Sequence, residues 1–273
     1  MLTLNRYYYA VQAALLGQLP LAPLCNAPAS AAYAHSRIPP FVYQTWKTNS
    51  FGRSHFRQLQ RFRQLNPELS FVLFDDAEMS DYMQQHWAQH PIYGIFQNAH
   101  YGQLKTDIFR YCILHERGGF YFDISKGVSA PICSFLRPDG EALITYEKTD
   151  CVIAPEPVLY ERQLHPDKLI AQYGLGFTPR HPVLGAMIEN MCKYYRVFQG
   201  RVFHKPKFGI LSFTGPGMFT KTVREHLLVA PDPHLIQAGV DFNGKSIWSM
   251  RGAYVRFSAT PPYKHARNGA IVS

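Results

Sequence analysis

The apolar positions of this chain fall into short runs that alternate with helical patterns. Phe41-Val42-Tyr43-Gln44-Thr45-Trp46 reads as a short buried strand, and residues 69–74 read as a second, ended by Asp75-Asp76. Between them, residues 54–65 read as a basic helix closed by Asn66-Pro67. A helical stretch over 77–87 stops before Pro91. A longer helix is predicted over 99–116, where Leu104, Ile108, Tyr111 and Cys112 share a face by their spacing. Gly118 supplies the residue that tolerates a left-handed turn at its end. Residues 120–124 and 142–146 are the next strands. In the second half, 170–178 reads as a strand, His181-Pro182 opens a helix to about 195, and Gly215-Pro216-Gly217 turns into a helix through 227. There is no internal repeat. Such alternation predicts an α/β domain with a mainly parallel central sheet, whose ligands bind outside the carboxyl ends of the strands.

Composition narrows the class. The 273 residues suit one large domain with a short extension. The sequence changes character at Arg37-Ile38-Pro39-Pro40, which separates an extension (1–36) from a domain (37–273). With 47% hydrophobic and 17% charged residues the chain is not disordered. Its net charge of +9 favours phosphate-bearing partners or an anionic membrane surface. No nucleic-acid-binding motif is recognised, so nucleic acid is not an expected partner, and no Gly-x-Gly-x-x-Gly follows a strand, which disfavours a dinucleotide dehydrogenase. The 5 cysteines lack Cys-x-x-Cys spacing and no Asn-x-Ser/Thr sequon occurs; both lean towards a reducing compartment. Residues 11–25 sketch a signal peptide after Arg6, but Gln12, Gln18, Pro20 and Pro23 interrupt the apolar run. A loosely packed extension or a membrane-surface segment is the expectation, and with it a cytoplasmic location, with peripheral contact at the inner membrane face left open.

Candidate chemistry concentrates between Asp107 and Lys126. Asp107 and Arg110 are three apart on a helix, on a face other than the apolar one. Tyr121 and Asp123 alternate with Phe120, Phe122 and Ile124, so both point one way, with Asp123 at the strand's carboxyl end. Singly, these residues read as a surface ion pair and a turn residue. Together they offer what a sugar nucleotide needs: carboxylates to grip ribose and sugar hydroxyls, and an arginine fork for oxygens.

Three blocks carry a family resemblance. Arg37-Ile38-Pro39-Pro40-Phe41-Val42-Tyr43-Gln44-Thr45-Trp46-Lys47 is similar to an Ile-Pro-Lys-x-x-His-Gln-Thr-Trp strand, with Tyr43 where histidine is usual. Thr106-Asp107-Ile108-Phe109-Arg110-Tyr111, with Gly118-Gly119-Phe120-Tyr121-Phe122-Asp123, matches a Ser-Asp-x-x-Arg-Tyr…Gly-Gly-x-Tyr-x-Asp core. Thr214-Gly215-Pro216-Gly217 resembles a Thr-Gly-Pro turn. The chain thereby resembles glycosyltransferase family 32, the DxD-motif group of bacterial capsular polysaccharide enzymes and yeast Golgi mannosyltransferases. The resemblance implies a GT-A, Rossmann-like fold. It also implies retaining transfer of a hexose from a UDP- or GDP-sugar to a glycan or glycolipid acceptor. By the same analogy Gln44, Thr45 and Trp46 line the nucleotide pocket, Asp107 and Arg110 hold the donor sugar, and Tyr121 contacts the diphosphate or sugar. Asp123 contacts ribose and a metal, Mn²⁺ or Mg²⁺.

One departure bears on the metal: the element reads Asp123-Ile124-Ser125, and a serine hydroxyl brings no charge to a hard dication. Three outcomes stay open. The metal is held by Asp123, phosphate and other groups; or a cation replaces it, Lys126 being nearest; or the protein binds sugar nucleotide without turning it over. His265, beside Tyr263 and Lys264, sits where related folds bring a tail residue to the diphosphate. His204, Lys205 and Lys207 read equally as a basic loop near phosphates or as solvated charge.

Overall fold

The computed structural model describes residues 15–24, 36–253 and 265–273, together with Tyr8 and Val11. Along the chain run β1 (Gln18–Pro20), β2 (Phe41–Thr45), β3 (Ser50–Gly52), α1 (Arg53–Gln64), β4 (Ser70–Phe74), α2 (Asp76–Trp87), α3 (Pro91–Gln97), α4 (Gly102–Arg117), β5 (Gly119–Phe122) and β6 (Gly127–Val128). There follow β7 (Ala142–Asp150), β8 (Lys168–Ile170), β9 (Gly174–Phe177), α5 (Pro182–Phe198), β10 (Val202–Phe203), α6 (Pro206–Phe213), α7 (Pro216–Val229), β11 (Leu235–Val240), β12 (Ser246–Ile247) and β13 (Gly269–Ala270).

The main sheet has the order β11-β7-β9-β5-β2-β4, with β8 paired to β7. β11–β7, β5–β2 and β2–β4 are parallel, while β9 runs antiparallel between β7 and β5. The expected mainly parallel α/β sheet is therefore present, and one reversed strand marks its middle. Alternation along each strand feeds two cores. Tyr43, Tyr121, Ile144 and Leu175 pack with the helical layer that contains α4, α5 and α7. Val42, Phe71, Phe120 and Phe122 pack with Leu59 and Phe62 of α1.

Local chemistry explains the approach to the site. Asp75-Asp76 is a strand-ending turn, and Asp75 caps α2: its carboxylate accepts from Ala77 N and Glu78 N, both at 2.9 Å, while Glu78 reaches back to Asp75 N. α4 ends at Gly118 (φ +64), followed by Gly119 (φ +98). A Cβ at Gly118 would stand 2.6 Å from Pro179 Cδ and 2.9 Å from Phe177 O, so both the left-handed backbone and the close approach of β9 require glycine. Gly118→Ala is expected to cost more than about 2 kcal/mol by combined backbone strain and overpacking. An unchanged denaturation midpoint would show that the turn relaxes.

Three features differ from the sequence expectation. The helix over 77–87 does end before Pro91, but Pro91 and Pro206 each open a further helix at its first turn, α3 and α6, which the sequence reading did not include. Residues 170–178 are not one strand: Ala171–Tyr173 separate β8 from β9, and this break frees Gln172. Part of the extension is packed on the domain. β1 pairs with β3, Leu21 is buried, and Leu24 bridges Phe71 on the edge strand β4. Exposed edges invite stray pairing, and this segment covers one. Leu21→Ala is expected to destabilise the fold by about 2–3 kcal/mol, read by chemical denaturation.

Candidate active site

Trp46, Asp75 and Asp241 immediately follow β2, β4 and β11, Asp123 follows β5, and Glu147 lies in β7 beside the end of β11. The centre of this crescent is Arg110. It projects from α4, whose residues 107–114 are all buried, so Asp107 and Arg110 do not form an exposed ion pair. Arg110 Nη2 donates to Asp123 Oδ1 at 2.7 Å and Nη1 lies 3.4 Å from Asp107 Oδ1. Its guanidinium stands 4.4 Å from the Tyr121 ring centroid. One arginine thus joins two carboxylates over an aromatic face. Arg110 is 3% exposed, while the Asp123 side chain keeps 35% exposure and opens the cluster to solvent.

Asp107 is further held by residues that sequence reasoning did not select. Gln172 Nε2 donates to Asp107 Oδ1 at 3.0 Å and to Tyr111 OH at 3.2 Å, and Thr214 Oγ1 donates to Asp107 Oδ2 at 2.9 Å. Thr214 reaches this point because Gly215 lets α6 and α7 meet: a Cβ there would lie 2.6 Å from Leu211 Cα. The Thr-Gly-Pro turn pointed to this place without showing that the hydroxyl was its purpose. The signal for Gln172 was a lone amide inside the apolar run Ile170-Ala171-Gln172-Tyr173.

Burial pushes the Asp107 carboxyl up to about 7, against the lowering effects of Arg110 and Thr214. Burial also raises Asp123, opposed by Arg110 and then Lys126. Burial acts to lower Arg110, but Asp123, Tyr121 and Asp107 together hold it above its ordinary range. The guanidinium is therefore a fixed charge.

The nucleotide-side residues divide between the two faces of the sheet. Thr45 joins the Arg110 side, its Oγ1 sharing a hydrogen bond of 2.8 Å with Tyr121 OH. Gln44 and Trp46 alternate to the other face, where Trp46 lies 6.4 Å from both Phe51 and His55 by ring centroids. Trp46 is half-buried; Gln44 is buried and its Nε2 has no hydrogen-bond partner. His265 is exposed beside the β10–β13 ribbon, and no hydrogen bond described for it reaches the cluster. Of the basic loop, Lys207 lies within electrostatic reach of Glu147.

A second group adjoins Asp123. Lys126 donates from Nζ to Trp248 O and stands 4.3 Å from the Trp248 ring and 5.6 Å from the Tyr173 ring. Asp241 pairs with Lys148 at 3.4 Å and, directly after β11, opens a run of three residues of positive φ, Asp241, Phe242 and Asn243. Such runs of strained backbone cluster at functional sites. Sequence reasoning did not reach Glu147, Asp241 or Trp248.

The expected Mn²⁺ or Mg²⁺ site at Asp123 is not assembled by these residues. Asp123 is already paired with Arg110, Ser125 carries no charge, and among the described residues no group of three or more His, Cys, Asp or Glu is placed to hold a metal. Four described cysteines are free; Cys25 lies outside the described residues. No helix among the described residues is long and apolar enough to cross a membrane.

Residues 52–147, which contain Asp107, Arg110, Tyr121 and Asp123, match the family described as glycosyltransferase sugar-binding region containing DXD motif. The chain is 24% identical over 231 residues to an initiation-specific alpha-1,6-mannosyltransferase of Candida albicans, covering 78% of this chain and 58% of that protein. It is 25% identical over 207 residues to inositol phosphoceramide mannosyltransferase 1 of Schizosaccharomyces pombe, covering 75% of this chain and 57% of that one. The chain thus spans less than two thirds of the length of these relatives. The solved structure of PaToxG glycosyltransferase superposes with a TM-score of 0.52 at 13% identity, over 83% of this chain and 77% of that one. The fold is that of a GT-A glycosyltransferase.

Proposed function

We propose, from the premise that residues 52–147 carry the sugar-binding region of the DXD glycosyltransferases, that this protein transfers a hexose from a nucleoside-diphosphate sugar to a glycan or lipid-linked acceptor, with retention of configuration. The observation that carries the reading is the guanidinium of Arg110 joining Asp107 and Asp123 at the carboxyl end of the sheet. Asp107, held at both oxygens by Gln172 and Thr214, is a fixed acceptor for donor-sugar hydroxyls. Arg110 Nε is buried without a hydrogen-bond partner, which leaves a donor for a sugar or phosphate oxygen. Asp123, partly exposed, faces the ligand and suits ribose or the sugar ring. Both carboxylates of the cluster are held by Arg110, which supports front-face displacement in which donor phosphate helps to deprotonate the acceptor.

Mannose comes first among hexoses because the relatives are named mannosyltransferases, and the name inositol phosphoceramide mannosyltransferase puts a lipid-linked acceptor on the test panel. The basic stripe Arg53, Arg57 and Arg61, four residues apart on α1, supports peripheral contact with an anionic membrane face. The direct test is a thermal-shift panel of UDP- and GDP-sugars followed by donor turnover. A native-state ligand raises the midpoint, and release of free sugar or glycoside establishes transfer. A second reading, a binder that does not turn donor over, is favoured by Ser125 in place of the second carboxylate. Tight binding with no turnover on any acceptor would select it.

The pH dependence has a definite sign. The raised Asp107 carboxyl ionises as pH rises through about 7, and only the carboxylate accepts from Gln172 and Thr214 at both oxygens. Transfer is expected to be present above that pH and lost as pH falls through it, and Asp107→Asn should abolish the limb along with most activity. A rate flat from pH 5 to 9 in the wild type would show that Asp107 is ionised throughout.

A further inference from the structure

We infer that the diphosphate of the donor is neutralised by cations of the chain itself, Lys126 foremost, in place of a divalent metal at the Asp-x-Asp element. The inference rests on the glycosyltransferase reading and goes beyond it, because it fixes how this site handles charge.

The donor set argues first. Three of the four carboxylates near the element already lie within ion-pair range of a cation. Asp123 and Asp107 share Arg110, and Asp241 is 3.4 Å from Lys148. For Glu147, Lys126 is the leading charge partner, ahead of Asp241 and Asp123. A dication entering here would displace these pairs and face Arg110, Lys126 and Lys148 at close range. Ser125 adds only a neutral oxygen.

Lys126 argues second, because it is built in rather than trailing in solvent. Its backbone N–H donates to Asp123 O at 2.8 Å, and the neighbouring Ser125 O accepts from Met250 N at 2.8 Å. β6 follows at once and pairs with β12, with Val128 opposite Ser246 and Gly127 opposite Ile247. The Nζ bonds to Trp248 O and lies against the Trp248 and Tyr173 rings, which use part of its capacity and leave N–H donors for a ligand. Asp123, Glu147 and Asp241 all act on it electrostatically, so its charge belongs to the same group as the carboxylates of the element. A preorganised ammonium there stabilises charge on the leaving diphosphate without a metal.

The test is calorimetric binding of UDP and of GDP to the full-length protein, each in EDTA and in Mn²⁺, with thermal unfolding of every variant as a check of folding. The wild type should bind one nucleotide with a Kd that changes less than about threefold between the two conditions. Lys126→Ala should weaken binding in EDTA by roughly tenfold or more, the scale of one charge-assisted contact, and Lys126→Arg should largely restore it. Ser125→Asp should weaken binding in EDTA, since it sets a negative charge beside the phosphates, and should make binding respond to Mn²⁺. Wild-type binding that needs Mn²⁺ overturns the inference and leaves the glycosyltransferase reading standing. So does a folded Lys126→Ala variant that binds normally in EDTA. Binding of neither nucleotide under either condition overturns both.

Discussion

Arg110→Ala is expected to abolish transfer and to cost roughly 3–5 kcal/mol of stability, the scale for breaking a buried ion pair from one side. Two carboxylates depend on this guanidinium, and the Asp107 side chain retains only 12% exposure. Without Arg110, Asp107 takes up a proton in order to stay buried, which removes the acceptor that Gln172 and Thr214 are set to serve. Arg110→Lys separates charge from shape. An ammonium restores the charge but cannot bond Asp123 and keep Asp107 in ion-pair range while lying flat 4.4 Å from the centre of the Tyr121 ring. The lysine variant should therefore recover part of the stability and little of the activity. Equal recovery of both, measured by denaturation and donor turnover on one preparation, would reduce Arg110 to a positive charge near the site.

The part of the site that was legible in the sequence is the part set by local geometry. A spacing of three on a helix fixes Asp107 beside Arg110, and a spacing of two on a strand sets Tyr121 and Asp123 on one side. The Gly118-Gly119 turn folds the strand back onto its own helix, so a stretch of fewer than twenty residues carries the cluster's centre. The exposure of that cluster was not legible. Its helix shows an apolar face in sequence, yet in the fold α4 is covered on the polar side as well, by Gln172 and Thr214. Those residues arrive from 65 and 107 positions away, through the reversed strand β9 and the α6–α7 turn. No periodicity records such encounters. The same holds for Glu147, Asp241 and Trp248, which depend on the β11–β7 register and the β6–β12 ribbon. The helices opened by Pro91 and Pro206 went unpredicted for a simpler reason: proline marks a helix start as readily as a stop.

Asp123→Asn is expected to have the second large effect, and of a different kind. The side chain is the most exposed member of the cluster, so its loss should leave the fold nearly intact, and an amide oxygen can still accept from Arg110 Nη2. What disappears is a fixed negative charge between Arg110 and Lys126. If Asp123 grips ribose or the sugar ring as it passes to the transition state, transfer should fall by at least ~10²-fold, equivalent to about 3 kcal/mol for one preorganised electrostatic group. Where the grip is on the sugar ring alone, nucleotide binding should respond in the opposite direction: without the carboxylate, Lys126 and Arg110 face the diphosphate with less internal competition. UDP or GDP should then bind in EDTA at least as tightly as to the wild type. Were Asp123 instead the anchor of a catalytic metal, the same substitution would weaken nucleotide binding in Mn²⁺ and leave binding in EDTA unchanged. One variant, titrated with nucleotide in both conditions and assayed for turnover, therefore distinguishes a carboxylate that holds sugar from one that holds metal. Near-normal turnover would remove Asp123 from the site altogether.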